Sequence, residues 1–242
     1  MIKPQVFDNG EALHKAAADA FVSCYQNAID DHGTFHVALS GGSTPKSLHR
    51  LLASKPFASE INWQKVHVYF GDERFVPHDH VDSNYAMARS TLLDLVEIPD
   101  NNIHPVQTDR KNAEISAADY SETLKNNLPT HNNELIFDLI LLGLGPDGHT
   151  ASLFPETDVL DEKTKVCAAV YVKKFESWRI TITFPVINSA KVILLVSEGS
   201  GKIEIVKELR SLPNDKVIYP IQMIKPTNQM LWFIDKAADN QA

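Results

Sequence analysis

Short apolar runs of strand length alternate along the chain with stretches of helical period. The runs Phe35–Leu39, Val66–Phe70, Phe137–Leu142, Val166–Val172, Ile180–Phe184, Val192–Val196 and Leu231–Ile234 are rich in branched and aromatic residues and read as strands. Glu11–Ile29, Lys46–Leu52, Tyr85–Val96, Ala113–Leu128 and Lys202–Leu209 have the propensity and the three-to-four spacing of helices that cover a sheet. Two runs, FDLILLGLG and KVILLVSEG, are nearly continuously apolar, as parallel strands buried on both faces would be. The rhythm predicts an α/β fold: a doubly wound, mostly parallel sheet with helices on both faces, Rossmann-like in layout. Such sheets bind ligands beyond the C-terminal ends of their strands, so chemistry is expected in the segments that follow them. The polar stretch 155–165 reads as an excursion rather than a linker, and one domain spanning residues 1–242 is expected.

Composition narrows the partners more than the fold. The 242 residues carry a net charge of −8, with 43% hydrophobic and 22% charged residues, which excludes disordered and collagen-like classes. An acidic balance with basic residues clustered no further than pairs argues against nucleic acid as a partner, because neutralising phosphates needs concentrated Lys and Arg. A small anionic ligand needs only two or three local cations. Cys24 and Cys167 stand far apart, without a CxxC pair, and fit a reducing cytoplasm. The start, MIKPQVFDNG, lacks an apolar leader segment, and no apolar run approaches the ~20 residues of a membrane helix, so neither secretion nor a membrane partner is expected.

Three strand-end segments carry candidate chemistry. After FHVAL come Ser40, Gly41, Gly42, Ser43, Thr44 and then Pro45 opening a helix. Glycines admit a ligand close to the backbone, hydroxyls donate, and the free N–H groups of a helix start favour an anion, which points to phosphate. A capped strand-to-helix turn would use the same residue types. After VHVYF come Gly71, Asp72, Glu73 and Arg74, charges crowded where a buried strand emerges, as on an active-site floor or a solvated loop. The nearby His78 and His80 form an HxH pair without a third ligand, so no metal site is assigned. The third segment runs from Gly143 to Thr150 and contains GxGxxG through Gly143, Gly145 and Gly148. A dinucleotide site would require an acidic residue ending the next strand, whereas Asp161 and Glu162 precede it. The segment instead reads as a glycine-rich loop presenting Asp147 and His149, the latter a candidate general base. Arg179 and Lys202, the second within GSGK beside a helix start, complete the candidates as cations for one phosphate.

Taken in order, SGGSTP, GDERFVP with Asn84 downstream, GLGPDGHTASLFP, WRITITFPVIN and GSGK resemble the 6-phosphogluconolactonase family, which groups with the glucosamine-6-phosphate deaminases. The resemblance spans about residues 35–205. It implies a deaminase/lactonase-type sheet and hydrolysis of 6-phospho-D-glucono-1,5-lactone to 6-phosphogluconate in the pentose phosphate pathway, without a cofactor. The family's general base falls on His149 and its GDER arginine on Arg74. Asp72 and Asp147 match recurring acidic positions, and Arg179 and Lys202, with Ser40 to Thr44, match the groups that hold the sugar phosphate. The deaminases place a catalytic Glu five residues after the motif His, where this chain has Phe154. A deaminase or isomerase, and a non-catalytic sugar-phosphate-binding protein, are the alternatives. A monomer or homodimer acting on a small sugar-phosphate lactone is expected.

Overall fold

The computed structural model of the chain describes residues 3–213 and 216–239. In chain order the strands are β1 (Gln5–Phe7), β2 (Phe35–Leu39), β3 (Val66–Phe70), β4 (Asp72–Arg74), β5 (Thr130–His131), β6 (Glu134–Leu135), β7 (Leu139–Gly143), β8 (Cys167–Val172), β9 (Ser177–Ile182), β10 (Val192–Ser197) and β11 (Gln229–Asp235). The helices are α1 (Gly10–His32), α2 (Ser43–Leu52), α3 (Phe57–Glu60), α4 (Asn84–Thr91), α5 (Ala113–Asn127), α6 (Phe184–Ser189), α7 (Ile203–Ser211) and α8 (Lys236–Asp239).

Six strands form one parallel sheet in the order β1-β11-β10-β7-β2-β3. From β2 the chain steps outward to β3, and from β7 it steps the other way to β10 and β11. The order therefore reverses between β2 and β7, which is where a doubly wound sheet opens a crevice. The residues of β2 are all buried, as are Leu139 to Leu142 of β7, which explains their unbroken apolar sequence. Local signals set the flanking helices. The Asn9 side chain caps α1 by accepting from the Ala12 N–H at 2.9 Å, and Gly33 ends that helix at φ +84°, a conformation glycine adopts without steric cost.

Two predicted strands belong elsewhere. β8 and β9 pair antiparallel with each other, and β4 pairs antiparallel with β9, making a separate three-stranded sheet beside the crevice. The run expected as Ile180–Phe184 ends at Ile182, because the chain turns helical at Phe184, with Pro185 in the first turn of α6. The helix expected over Tyr85–Val96 stops at Thr91, where the Ser90 and Thr91 hydroxyls both donate to the Met87 carbonyl and a 3-10 turn follows over Leu93–Leu95. The edge strand β1 and the hairpin β5–β6 have too few residues to show periodicity. The expected excursion, 155–165, holds only a 3-10 turn at Asp158–Asp161. Among the described residues, no helix is long and apolar enough to cross a membrane.

Candidate active site

A cavity of about 250 Å³ opens at the β2/β7 switch point. Its walls bring together Ser40, Gly41, Gly42, Ser43 and Thr44 after β2, Asp72 and Arg74 on β4, His149 after β7, Arg179 on β9 and Lys202 before α7. Asp147 is not among its lining residues. It stands behind His149 and borders a neighbouring groove with Phe154, Lys174 and Trp178.

Strand alternation explains how GDER is divided. In β4, Asp72 and Arg74 project to one face and Glu73 to the other. The buried Glu73 carboxylate accepts from the backbone N–H groups of Asn84 at 2.7 Å and Tyr85 at 2.8 Å, so it anchors the start of α4 and has no part in the cavity. Burial pushes its pKa up, against those hydrogen bonds. Asp72 accepts from Ser152 Oγ at 2.6 Å and from Asn84 Nδ2 at 3.2 Å, which fixes it on the cavity floor. Arg74 is directly opposite Arg179 across the β4–β9 pair. Like charges facing one another are unfavourable unless something negative comes between them. The Nε atoms of both arginines are buried without a hydrogen-bond partner, and so is Ser40 Oγ. Burial lowers the pKa of Arg179, partly offset by Asp72, although a guanidinium stays charged throughout the useful pH range. The pKa of Lys202 is lowered by burial against the pull of Asp147.

The glycine loop holds the imidazole in place. Gly145 N–H donates to the His149 carbonyl at 2.8 Å and Gly148 N–H to the Gly145 carbonyl at 3.0 Å, closing a tight turn. Gly148 sits at φ +73°, and a Cβ there would come within 2.5 Å of Tyr219 Cβ. A Cβ on Gly145 would fall 2.0 Å from His149 Nδ1, so the ring occupies the space this glycine leaves open. His149 Nδ1 is hydrogen-bonded to Asp147 Oδ1, while Lys174 Nζ lies 3.3 Å from Asp147 Oδ2. Burial lowers the His149 pKa, and the Arg179 charge adds to this; the Asp147 hydrogen bond and the charges of Asp147 and Asp72 oppose without reversing it. Burial raises the Asp147 pKa, but the bond and charge of His149, then Lys174, bring it below the usual carboxylate value. At neutral pH the pair is therefore a carboxylate bonded to a neutral imidazole, with Nδ1 carrying the shared proton and Nε2 free to accept one.

The N-terminus of α2 completes the wall. Gly42 is its N-cap at φ +106° and supplies no capping side chain, which leaves first-turn N–H groups for a ligand. Sequence reading assigned no role to Asn84, whose Oδ1 packs where a Cβ of Gly41 would lie, or to Glu198, which lines the cavity and pairs with His14 of α1 at 2.8 Å. No local motif signals the second pair, because its halves lie at opposite ends of the chain. His78 donates to or accepts from nothing in the cavity: its Nε2 bonds the Val106 carbonyl, and His80 lies beside Asp82. Among the described residues, no group of three or more His, Cys, Asp or Glu side chains is placed to hold a metal ion.

The chain is similar to known proteins over nearly its whole length. A 6-phosphogluconolactonase of Nostoc sp. is 39% identical over 235 residues, covering 97% of this chain and 95% of that protein. Among solved structures, the devB protein superposes with a TM-score of 0.90 at 34% identity, covering 100% of this chain and 99% of that one. The 6-phosphogluconolactonase of Trypanosoma cruzi superposes with a TM-score of 0.84 at 27% identity, covering 99% and 97%. The profile of the family described as glucosamine-6-phosphate isomerases/6-phosphogluconolactonase matches residues 8–232, nearly the whole chain including every wall of the cavity, and the chain belongs to that family.

Proposed function

We propose that the cavity hydrolyses 6-phospho-D-glucono-1,5-lactone to 6-phospho-D-gluconate, the lactonase step of the pentose phosphate pathway. One observation carries the reading: a neutral imidazole backed by a carboxylate shares a cavity with two half-buried arginines whose Nε atoms are buried without a partner. A δ-lactone is an activated ester, so a positioned base, an oxyanion partner and firm binding suffice. His149 Nε2 takes a proton from water as the water oxygen bonds to C1. Arg74 faces the carbonyl oxygen that becomes anionic, and Asp147 keeps the imidazole in its tautomer and steadies the imidazolium. Collapse of the tetrahedral intermediate breaks the C1–ring oxygen bond, and the imidazolium returns its proton to that oxygen. The product acid then ionises. Arg179, Lys202 and the Ser40 to Thr44 segment, whose last two residues open α2, hold the phosphate. Asp72 has a fixed place on the floor and contributes field to His149. All these groups come from one chain, so a monomer or a homodimer can act, in the cytoplasm, with no nucleic-acid partner and no cofactor in the sequence of steps. The deaminase alternative lacks its acid, because Phe154 fills that position.

The test is a proton-release assay on the phosphorylated lactone beside gluconolactone. Charge-assisted contacts to phosphate are worth roughly 1.5 to 3 kcal/mol each, so Arg179→Ala or Lys202→Ala weakens use of the phosphorylated substrate by about 10- to 150-fold. Wild type handles gluconolactone poorly, and the two variants leave that residual activity nearly unchanged. Equal losses on both substrates would remove these residues from the phosphate site.

A further inference from the structure

Phe154 follows His149 by five residues, and the intervening turn folds back on itself. Ala151 sits at φ +47° and Leu153 N–H donates to the Thr150 carbonyl at 2.9 Å, which returns the chain over the imidazole. The Phe154 ring, 3% exposed, stacks on His149 with centroids 3.9 Å apart and planes at 22°. The same ring meets Phe175 edge-on at 5.8 Å, and the Arg179 guanidinium lies 5.7 Å from its centroid. A base held by a single carboxylate oxygen can still swing about that hydrogen bond. Flat stacking against a buried ring removes this freedom.

We propose that Phe154 is a positioning residue for the general base, fixing the imidazole plane so that Nδ1 stays on Asp147 while Nε2 stays turned to the cavity. The inference rests on His149 being the base. It goes beyond the absence of a deaminase acid, since it gives the residue in that place a task of its own. The groups facing the imidazole are Asp147 on its own loop, Asp72 on β4, Arg179 on β9 and, through Asp147, Lys174 in the β8–β9 turn. Arg179 already lies against the Phe154 ring, so a charged imidazole stacked there would meet a like charge. The arrangement favours the neutral, proton-accepting form.

Phe154→Leu keeps apolar bulk and loses the stack; Phe154→Tyr keeps the stack. Turnover is measured with the phosphorylated lactone, and the His149 ring is followed by carbon-edited NMR, which reads the ring-current shift directly. Misplacing a reacting group by about 1 Å can cost about 100-fold, so Phe154→Leu is expected to lower kcat by about 10- to 100-fold with KM little changed, and to lose the upfield shift of the His149 ring signal. Phe154→Tyr is expected to retain both. Should Phe154→Leu not fold, Phe154→Met supplies the same comparison. Near-wild-type kcat in the folded non-aromatic variant, an equal loss in Phe154→Tyr, or a loss confined to KM would overturn the proposal. Full turnover by His149→Ala would instead refute the base assignment, and the NMR shift would still report whether the stack holds the ring.

Discussion

At Gly145 a single missing atom decides where the imidazole sits. The GxGxxG spacing drew attention to Gly143, Gly145 and Gly148, but the three do different things: a Cβ on Gly143 would meet nothing within 4 Å, Gly148 is needed for its positive φ, and Gly145 leaves room for His149. Gly145→Ala should therefore displace the ring while the backbone stays unstrained. The expected outcome is a fall in kcat of about 100-fold, the cost of a misplaced catalytic group, with little change in the thermal unfolding midpoint. Full activity in that variant would show that the ring can shift without consequence. Residue identity was legible here and residue task was not, because a glycine's reason lies in what occupies the space beside it. Glu73 makes the same point in reverse. Its charge marked it alongside Asp72 and Arg74, yet strand alternation turns it away from the cavity to cap α4.

Helix packing makes a separate prediction at the scale of elements. His49 on α2 is fully buried, bonded through Nδ1 to Thr91 of α4 at 3.3 Å, and burial lowers its pKa from 6.5 to about 4. His36 and His104, stacked with His67 and Tyr69 near the start of β2 and β3, are each lowered to about 4, chiefly by burial and then by the His67 charge. Between pH 6.5 and 4 the unfolded chain binds protons that the folded chain refuses. Stability is thus complete above about pH 6.5 and falls as pH drops through this window, by at most about 3 kcal/mol for His49. Urea midpoints should decline from pH 7 to pH 4.5, less steeply in His49→Leu; a flat profile over that range would contradict the assignment. The central strands were readable because both faces are buried, leaving an unbroken apolar signal. β8 and β9 were readable as strands but not as a separate antiparallel sheet, since pairing partners leave no mark in apolar runs as short as Val166–Val172 and Ile180–Phe184. The consequence is local to Arg179: it reaches the cavity from that side sheet, opposite Arg74, rather than from the end of a parallel strand.

For the molecule as a whole, the reversal of strand order between β2 and β7 gathers groups that sequence separates widely. The Ser40 to Thr44 segment follows one of these strands, the His149 loop the other, and the side sheet adds Asp72, Arg74 and Arg179. Motif order and the strand-end rule were enough to name most of these groups. The His14–Glu198 pair and the place of Asp147 behind the cavity wall depend on three-dimensional packing between distant segments, and no motif reports it. The reaction proposed for this crevice is hydrolysis of the phosphorylated lactone with His149 as base. Its most direct test is the kcat of His149→Ala on 6-phospho-D-glucono-1,5-lactone, corrected for spontaneous hydrolysis and accompanied by circular dichroism. Removing a general base costs typically 10²- to 10⁴-fold, so a drop of about that size with an unchanged fold is predicted. Near-wild-type turnover by the folded variant would contradict it.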